Sequence, residues 1–345
     1  MVKTDSYKPI NGQRNLNIDF LRFFGLLLVI LSHVQTPHWL HEVRCFDVPM
    51  MLFCSGLTCK GKCFGNYWPY IWKRTKRLII PSYVFVLLFY LLFYLSAYLA
   101  TKTFDFNKYD FINAILLRND SEMGYLWVIK VFLLVMFITP LLVRLASRIN
   151  SIVSFVIILA LMLLIQQGLV MAIDIIPIRI IRIIYREYFL YLTGYSILFL
   201  LGVRIGNLAS VSKKGIWLSV VFSVLVFVAF VSIYGLPFHL LSQQYKYPPQ
   251  FWFILYGAAL SVLLWFQINK LHLKGRISNF CVWMGQNTIW LYLWHIIGLR
   301  VGWAVSNHWA VQYLAVLVFS VLVFSVQFFI VKKINKPFFN KYFIG

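Results

Sequence analysis

The sequence predicts an all-α, polytopic integral membrane protein with about ten transmembrane helices and both termini cytoplasmic. Three observations carry this. Of the 345 residues, 61% are hydrophobic and only 12% charged, with a mean hydropathy of +0.79, far outside the soluble globular range. Apolar runs of roughly 20 residues, each able to cross about 30 Å of hydrocarbon at 1.5 Å per residue, recur along the whole length. Basic residues are also unevenly placed: 21 fall on the N-terminal side of the spans against nine on the other, with Arg22 and Lys130 inside spans. That bias is the positive-inside pattern. The net charge of +22 therefore reports topology, and the expected partner is the lipid bilayer, with no nucleic acid.

The runs are 18–36, 46–58, 79–100, 125–143, 151–173, 188–206, 215–234, 249–267, 279–298 and 309–331. The second is short and contains Pro49 and Gly56. A broken or re-entrant helix with its backbone covered by protein is expected there. A basic stretch precedes the first run, as in a signal peptide, but no small-residue cleavage site follows and Arg22 interrupts the apolar core. The first span is expected to be retained. No composition break or low-complexity tract divides the chain, so one membrane-embedded domain over 1–345 is expected. Cys45, Cys54, Cys59, Cys63 and Cys281 form no paired framework, and no His or second Cys pair completes a tetrahedral set. No metal is expected.

Charged residues inside the apolar runs need a reason, because intramembrane Arg or Asp costs about 2.5–3.5 kcal/mol on insertion scales. Arg22 and His33 are eleven positions apart, which at 100° per residue returns them to one face of a helix, roughly 16 Å apart along the axis, with Asp19 nearby. Arg22 either snorkels and pairs with Asp19 or faces a cavity. His33 either bonds a neighbouring carbonyl or serves as a neutral base. On the inner side, RTKR places Arg74 and Arg77 three apart on one helix face, where two guanidiniums can grip phosphate bidentately. Topology alone also favours basic residues there.

Five stretches in order carry a resemblance. DFLRFFGLLLVILSHV is followed by FDVPMMLFCSG and KRTKRLIIP, then by GYLWVIKVFLLVMFITP and finally GQNTIWLYLWH. Together they resemble the acyltransferase 3 family of membrane O-acyltransferases. Its members carry an Arg and a His in the first helix, a Phe-rich Ser-Gly segment in the second and an Arg-x-x-Arg motif before the third. A Leu-Trp helix ending in proline and a late Gly-x-x-(Ser/Thr)-x-x-x-Tyr-x-x-His helix complete the pattern. The second stretch departs from it, with one Phe and a Cys before Ser55, so Ser55 is given only packing or a turn.

The resemblance implies a bacterial cytoplasmic (inner) membrane enzyme that takes an acyl group, acetyl above all, from cytoplasmic acyl-CoA. The acceptor it implies is a sugar hydroxyl of a surface polysaccharide or lipid-linked glycan. His33 falls on the family's essential His and Arg22 on its first-helix Arg, while Arg74 and Arg77 fall on the CoA-side pair. Acetyl-CoA is thus the expected cosubstrate. His33 is expected to be the base.

The outer side offers acceptor candidates. Arg179, Arg182 and Arg186 are spaced as one basic stripe on a short helix opened by Pro177, suited to lipid head groups or to an anionic glycan. Thr288, Tyr292 and His295 share a face of the ninth run, with His295 expected near the wetted outer end. Lys130 either points inward with them or snorkels outward. YKYPPQFWF, residues 245–253, reads as an interfacial aromatic belt whose tyrosines are also able to stack on sugar rings.

A transporter or flippase for a glycan or anionic solute is the alternative from another class. It is expected to show paired broken helices and midplane carboxylates. Ten acidic residues exist, and the reading counts Asp19 alone among them as intramembrane.

Overall fold

The computed structural model describes residues 14–59, 64–100, 106–119, 123–149, 151–207, 243–270 and 274–344. Among the described residues every extended element is helical. The first half comprises α1 (Leu16–Leu31), α2 (His38–Val43), α3 (Asp47–Leu57), α4 (Tyr67–Leu99), α5 (Lys108–Ile115), α6 (Trp127–Arg148) and α7 (Ile152–Met171). The second comprises α8 (Arg179–Ile184), α9 (Leu190–Asn207), α10 (Phe251–Ile268), α11 (Arg276–Gln286), α12 (Thr288–Val305), α13 (Trp309–Ile334) and α14 (Pro337–Phe343).

Seven of the described segments are long and apolar enough to cross a membrane: Tyr67–Leu99, Gly124–Arg148, Ile152–Ile175, Arg179–Asn207, Phe251–Ile268, Thr288–Val305 and Trp309–Ile334. Two further expected spans are helical but shorter, α1 with 16 residues and α3 with 11. The expected span 215–234 lies outside the described residues.

α3 is unbroken. It runs without interruption from Asp47, beside Lys246, to a C-terminal turn whose Thr58 and Cys59 lie near Arg22 and Arg74 at the opposite pole. Pro49 sits in the first turn, where no intrahelical N–H bond is lost. Every residue of α3 except Ser55 is buried. A helix so fully wrapped by protein has no need to match the hydrocarbon thickness.

The wrapping depends on backbone contact with α9. A Cβ on Gly202 would lie 2.1 Å from the Phe53 carbonyl oxygen, and one on Gly56 would lie 2.2 Å from that of Phe199. Small residues let two helices approach this closely in lipid, where apolar burial between helices supplies little drive. On the periphery, α7 and α13 turn Ile152, Leu164, Leu314 and Phe329 outward. Acyl chains are as apolar as these side chains, so the exposure carries no penalty.

The ninth expected span is displaced. α11 ends at Gln286, Asn287 turns the chain with φ −115° and ψ 26°, and its side-chain amide donates to the Trp283 carbonyl at 2.7 Å. Asn favours such local bonds over helix continuation. The crossing helix is therefore α12, and His295 lies within it, fully buried, instead of near a wetted end.

The YKYPP segment also departs from the belt reading. Residues 243–250 fold onto the bundle: the Gln166 side-chain amide donates to the Pro249 carbonyl at 2.8 Å, and the Gln243 N–H donates to Glu42 at 3.2 Å. Tyr247 packs on Trp127 at 5.2 Å between ring centroids, and Lys246 is buried.

Gly202→Ala is expected to destabilise the protein by at least about 1–3 kcal/mol, the range for overpacking a tight contact. A fall in the thermal midpoint of detergent-solubilised protein, larger than for Ala at the lipid-facing Leu314, measures it.

Candidate active site

α1 carries the first part of the site. Asp19 is 1% exposed and accepts from three directions: Arg14 Nε at 2.5 Å, Arg22 at 3.5 Å and the Gln286 side-chain amide at 3.3 Å. The approach of Gln286 requires Gly285, because a Cβ there would sit 1.7 Å from the Asp19 carbonyl oxygen.

Arg14 and Arg22 then face Arg74 and Arg77 of α4 across the mouth of a cavity of about 250 Å³. Both α4 arginines lie in the long helix that begins at Tyr67, so the Arg-x-x-Arg pair and the following span belong to one continuous helix, with Pro81 removing the N–H bond to the Arg77 carbonyl between them. Ser55, Thr58 and Thr139 add hydroxyls to the wall, Leu52, Val128, Ile129 and Val135 make it apolar further in, and it ends at Ile289 and Tyr292. Four guanidiniums with one buried carboxylate leave the mouth strongly positive.

His33 follows the last turn of α1, its N–H donating to the Ile30 carbonyl at 3.1 Å. It faces the turn Gly124–Leu126 that leads into α6, and α12. Its ring lies edge-on to Tyr125 at 4.5 Å and stacks on His295 at 5.3 Å. A carbonyl oxygen only accepts, so the His295 contact with the Tyr292 carbonyl requires Nδ1–H to donate. Nε2 is then the lone-pair nitrogen, buried and without a protein partner among the described residues.

The Tyr292 hydroxyl donates to the Tyr125 carbonyl. Tyr292 both lines the cavity and packs on His295, with ring centroids 5.0 Å apart, so it lies between the cavity and the imidazole pair. Arg22, Arg74 and Arg77 are brought together, while His33 is held one aromatic layer away.

The family model of an acyltransferase domain, acyltransferase 3, matches residues 15–330. The chain belongs to the acyltransferase 3 family. It is a membrane acyltransferase. No curated protein and no solved structure matches it.

Elsewhere in this acyltransferase the sequence-derived candidates separate. Lys130 points inward, 3% exposed, pairing with Glu187 at 3.4 Å and lying over the rings of Tyr188 and Tyr191 at 4.9 and 5.2 Å. α8 ends at Ile184 and passes into a π-helical turn, Tyr185–Phe189. Arg182 Nε donates to the Ile176 carbonyl at 2.8 Å and Arg186 to that of Tyr247 at 3.5 Å, while Arg179 is exposed.

Other residues were missed by sequence reasoning. Asp47 is a second carboxylate within the bundle, 1% exposed; it falls inside the expected run 46–58, so the count of Asp19 alone was one short. It binds Arg44 at 2.9 Å and Lys246 at 3.3 Å. The i, i+3 spacing of Arg44 and Asp47 was the available signal. Nothing local announced Lys246, nearly 200 positions on. Among the described residues no three His, Cys, Asp or Glu side chains are grouped to hold a metal.

His41, on the loop helix α2, has its pKa lowered to about 4 by burial and by Arg44, whose guanidinium donates to its ring at 2.9 Å. A histidine held neutral stabilises the fold fully above its ordinary value of 6.5, and that contribution drains away as pH falls towards 4. Thermal midpoints recorded from pH 7.5 to 4 are expected to decline over this window, and His41→Gln is expected to flatten the decline.

Proposed function

We propose that this acyltransferase takes an acyl group, acetyl in the simplest case, from cytoplasmic acyl-CoA and transfers it to a hydroxyl of a surface polysaccharide or lipid-linked saccharide. The setting is the cytoplasmic membrane of a bacterium, and one membrane-embedded domain performs the whole reaction. The observation that carries the reading is the cavity whose mouth bears Arg14, Arg22, Arg74 and Arg77 and whose apolar end stops at Tyr292, next to the two imidazoles.

The donor fits this chemistry. Guanidiniums recognise phosphates bidentately, which suits the nucleotide end of CoA. The cavity of about 250 Å³ is near the lower limit of the roughly 300–1,000 Å³ usual for small-molecule pockets, so it suits a slender pantetheine arm with the nucleotide at the mouth. Bound there, acyl-CoA supplies the acyl group as a thioester.

The protein's own part is positioning and proton transfer. Asp19 fixes Arg14 and Arg22, which with Arg74 and Arg77 hold the phosphates. Rotation of Tyr292 away from the Tyr125 carbonyl joins the cavity to His33. His33 then removes the proton from the sugar hydroxyl as its oxygen bonds the thioester carbonyl carbon. The C–S bond breaks and CoA leaves as the thiol on taking that proton, while His295, stacked on His33, holds the imidazole in register.

Among the described residues, the three carboxylates gripped by cations inside the bundle are poorly placed to couple transport. Asp19 is engaged by Arg14 and Arg22, Asp47 by Arg44 and Lys246, and Glu187 by Arg118 and Lys130. A carboxylate held by two cations is poorly suited to cycling a proton.

Membranes incubated with labelled acetyl-CoA are expected to label a glycan. His33→Ala abolishes labelling while donor binding persists. Arg77→Ala removes a charge-assisted contact worth about 1.5–3 kcal/mol and raises the donor KM roughly 10- to 100-fold. Saccharide movement across the membrane that needs no acyl-CoA, in protein that labels nothing, would overturn the proposal.

A further inference from the structure

On the far side of Tyr292 from the arginine mouth lies a second polar cluster that the donor chemistry does not use. Arg44, Asp47 and Lys246 are 2%, 1% and 3% exposed. Asp47 accepts from Arg44 at 2.9 Å, from Lys246 at 3.3 Å and from the Val48 N–H at 2.7 Å. Two cations share Asp47, and the neighbouring buried carboxylate, Glu42, is occupied by the Gln243 N–H, so Arg44 and Lys246 keep donor capacity for a further acceptor.

Unpaired groups mark the same place. Arg44 Nε has no acceptor among the described residues, and neither does the hydroxyl of Tyr195, which is fully buried. A buried orphan donor normally signals a missing polar partner.

An aromatic wall completes the cluster. Lys246 lies over Trp127 and Tyr247 at 5.4 and 5.6 Å, and Tyr195 stands 6.2 Å from Trp127. Broad ring faces beside polar groups suit the apolar face and hydroxyl rim of a pyranose. The cluster is close enough to His33 for the charges of Arg44 and Lys246 to act on it, and Trp127 is two residues from Tyr125, which touches His33.

Resting on the acyl-transfer reading above, we infer that this cluster is the acceptor subsite and that it selects a saccharide bearing a carboxylate or phosphate. The anion pairs with Lys246 and the unpaired Arg44 Nε–H while the sugar ring lies on Trp127 and Tyr247. All three charges are buried, so the acceptor enters when residues 243–250 lift from their bonds to Glu42 and Gln166. Donor and acceptor then approach His33 from opposite sides.

Purified full-length protein in detergent provides the test, with four probes: a glucuronate-containing disaccharide, its methyl ester, glucose 1-phosphate and methyl glucoside. The first and third are expected to bind at least tenfold more tightly than their uncharged counterparts, and which binds better separates a carboxylate from a phosphate acceptor. Lys246→Met is expected to erase that preference and Lys246→Arg to restore it, with CoA binding unchanged in both. Asp47 keeps Arg44 in Lys246→Met, so its carboxylate stays paired, and Tyr247→Ala provides a second variant expected to weaken both charged probes.

Charge-blind binding, or no binding of any probe by the wild type, would refute the subsite. So would a Lys246→Met protein that merely melts earlier with its preference intact, as expected of a structural clip. If the charged probes bind selectively but no labelled acyl group is ever transferred, the acyl-transfer reading falls and the anion site remains.

Discussion

Asp19 is the interaction on which the arginine pole depends. Four guanidiniums around one mouth repel one another, and hydrocarbon offers no counterion. A single carboxylate, buried by α1 and α11, takes up Arg14 and Arg22 and adds the Gln286 amide. That last contact exists because Gly285 lets the α11 backbone reach α1, and because Asn287 ends α11 one residue later. The same turn launches α12 in the direction that brings Tyr292 and His295 beside His33. One buried charge thus couples the shape of the cavity mouth to the placement of the imidazoles.

The interior as a whole follows the same rule. Asp47 and Glu187 are each gripped by two cations from separate parts of the chain, and Asp19 joins its two neighbouring arginines to the distant Gln286. The chain's basic bias extends into the bundle, and its scarce carboxylates act as nodes joining distant segments. These ties add to the aromatic packing that holds the 243–250 segment on the bundle. Between the two poles Tyr292 keeps the basic cavity apart from the histidines. On the proposed chemistry that separation keeps a reactive thioester from water until both substrates are in place.

Much of this was legible in residue order. Helix content, the approximate spans, the pairing of Arg22 with Asp19 and the joint location of Arg74 and Arg77 follow from apolar run length, local spacing and the intolerance of lipid for bare charge. The family resemblance was carried by motifs whose residues are near neighbours along the chain. Where a prediction needed unbroken helical phase, it failed at a local irregularity: Asn287 displaced the ninth span. Periodicity contains no term for such interruptions.

The sequence by itself determined that this is a helical membrane protein of the acyltransferase 3 family and which polar residues hydrocarbon would not tolerate unpaired. Only the tertiary structure decided which of them meet: Asp47 with Lys246, His33 with His295, and Tyr292 as the layer between cavity and imidazole. The physical reason is range. Hydropathy and helical spacing act over a turn or a span, whereas a buried ion pair or ring stack is set by backbone approach between helices that lie far apart in the chain, here permitted by glycines at the contact points.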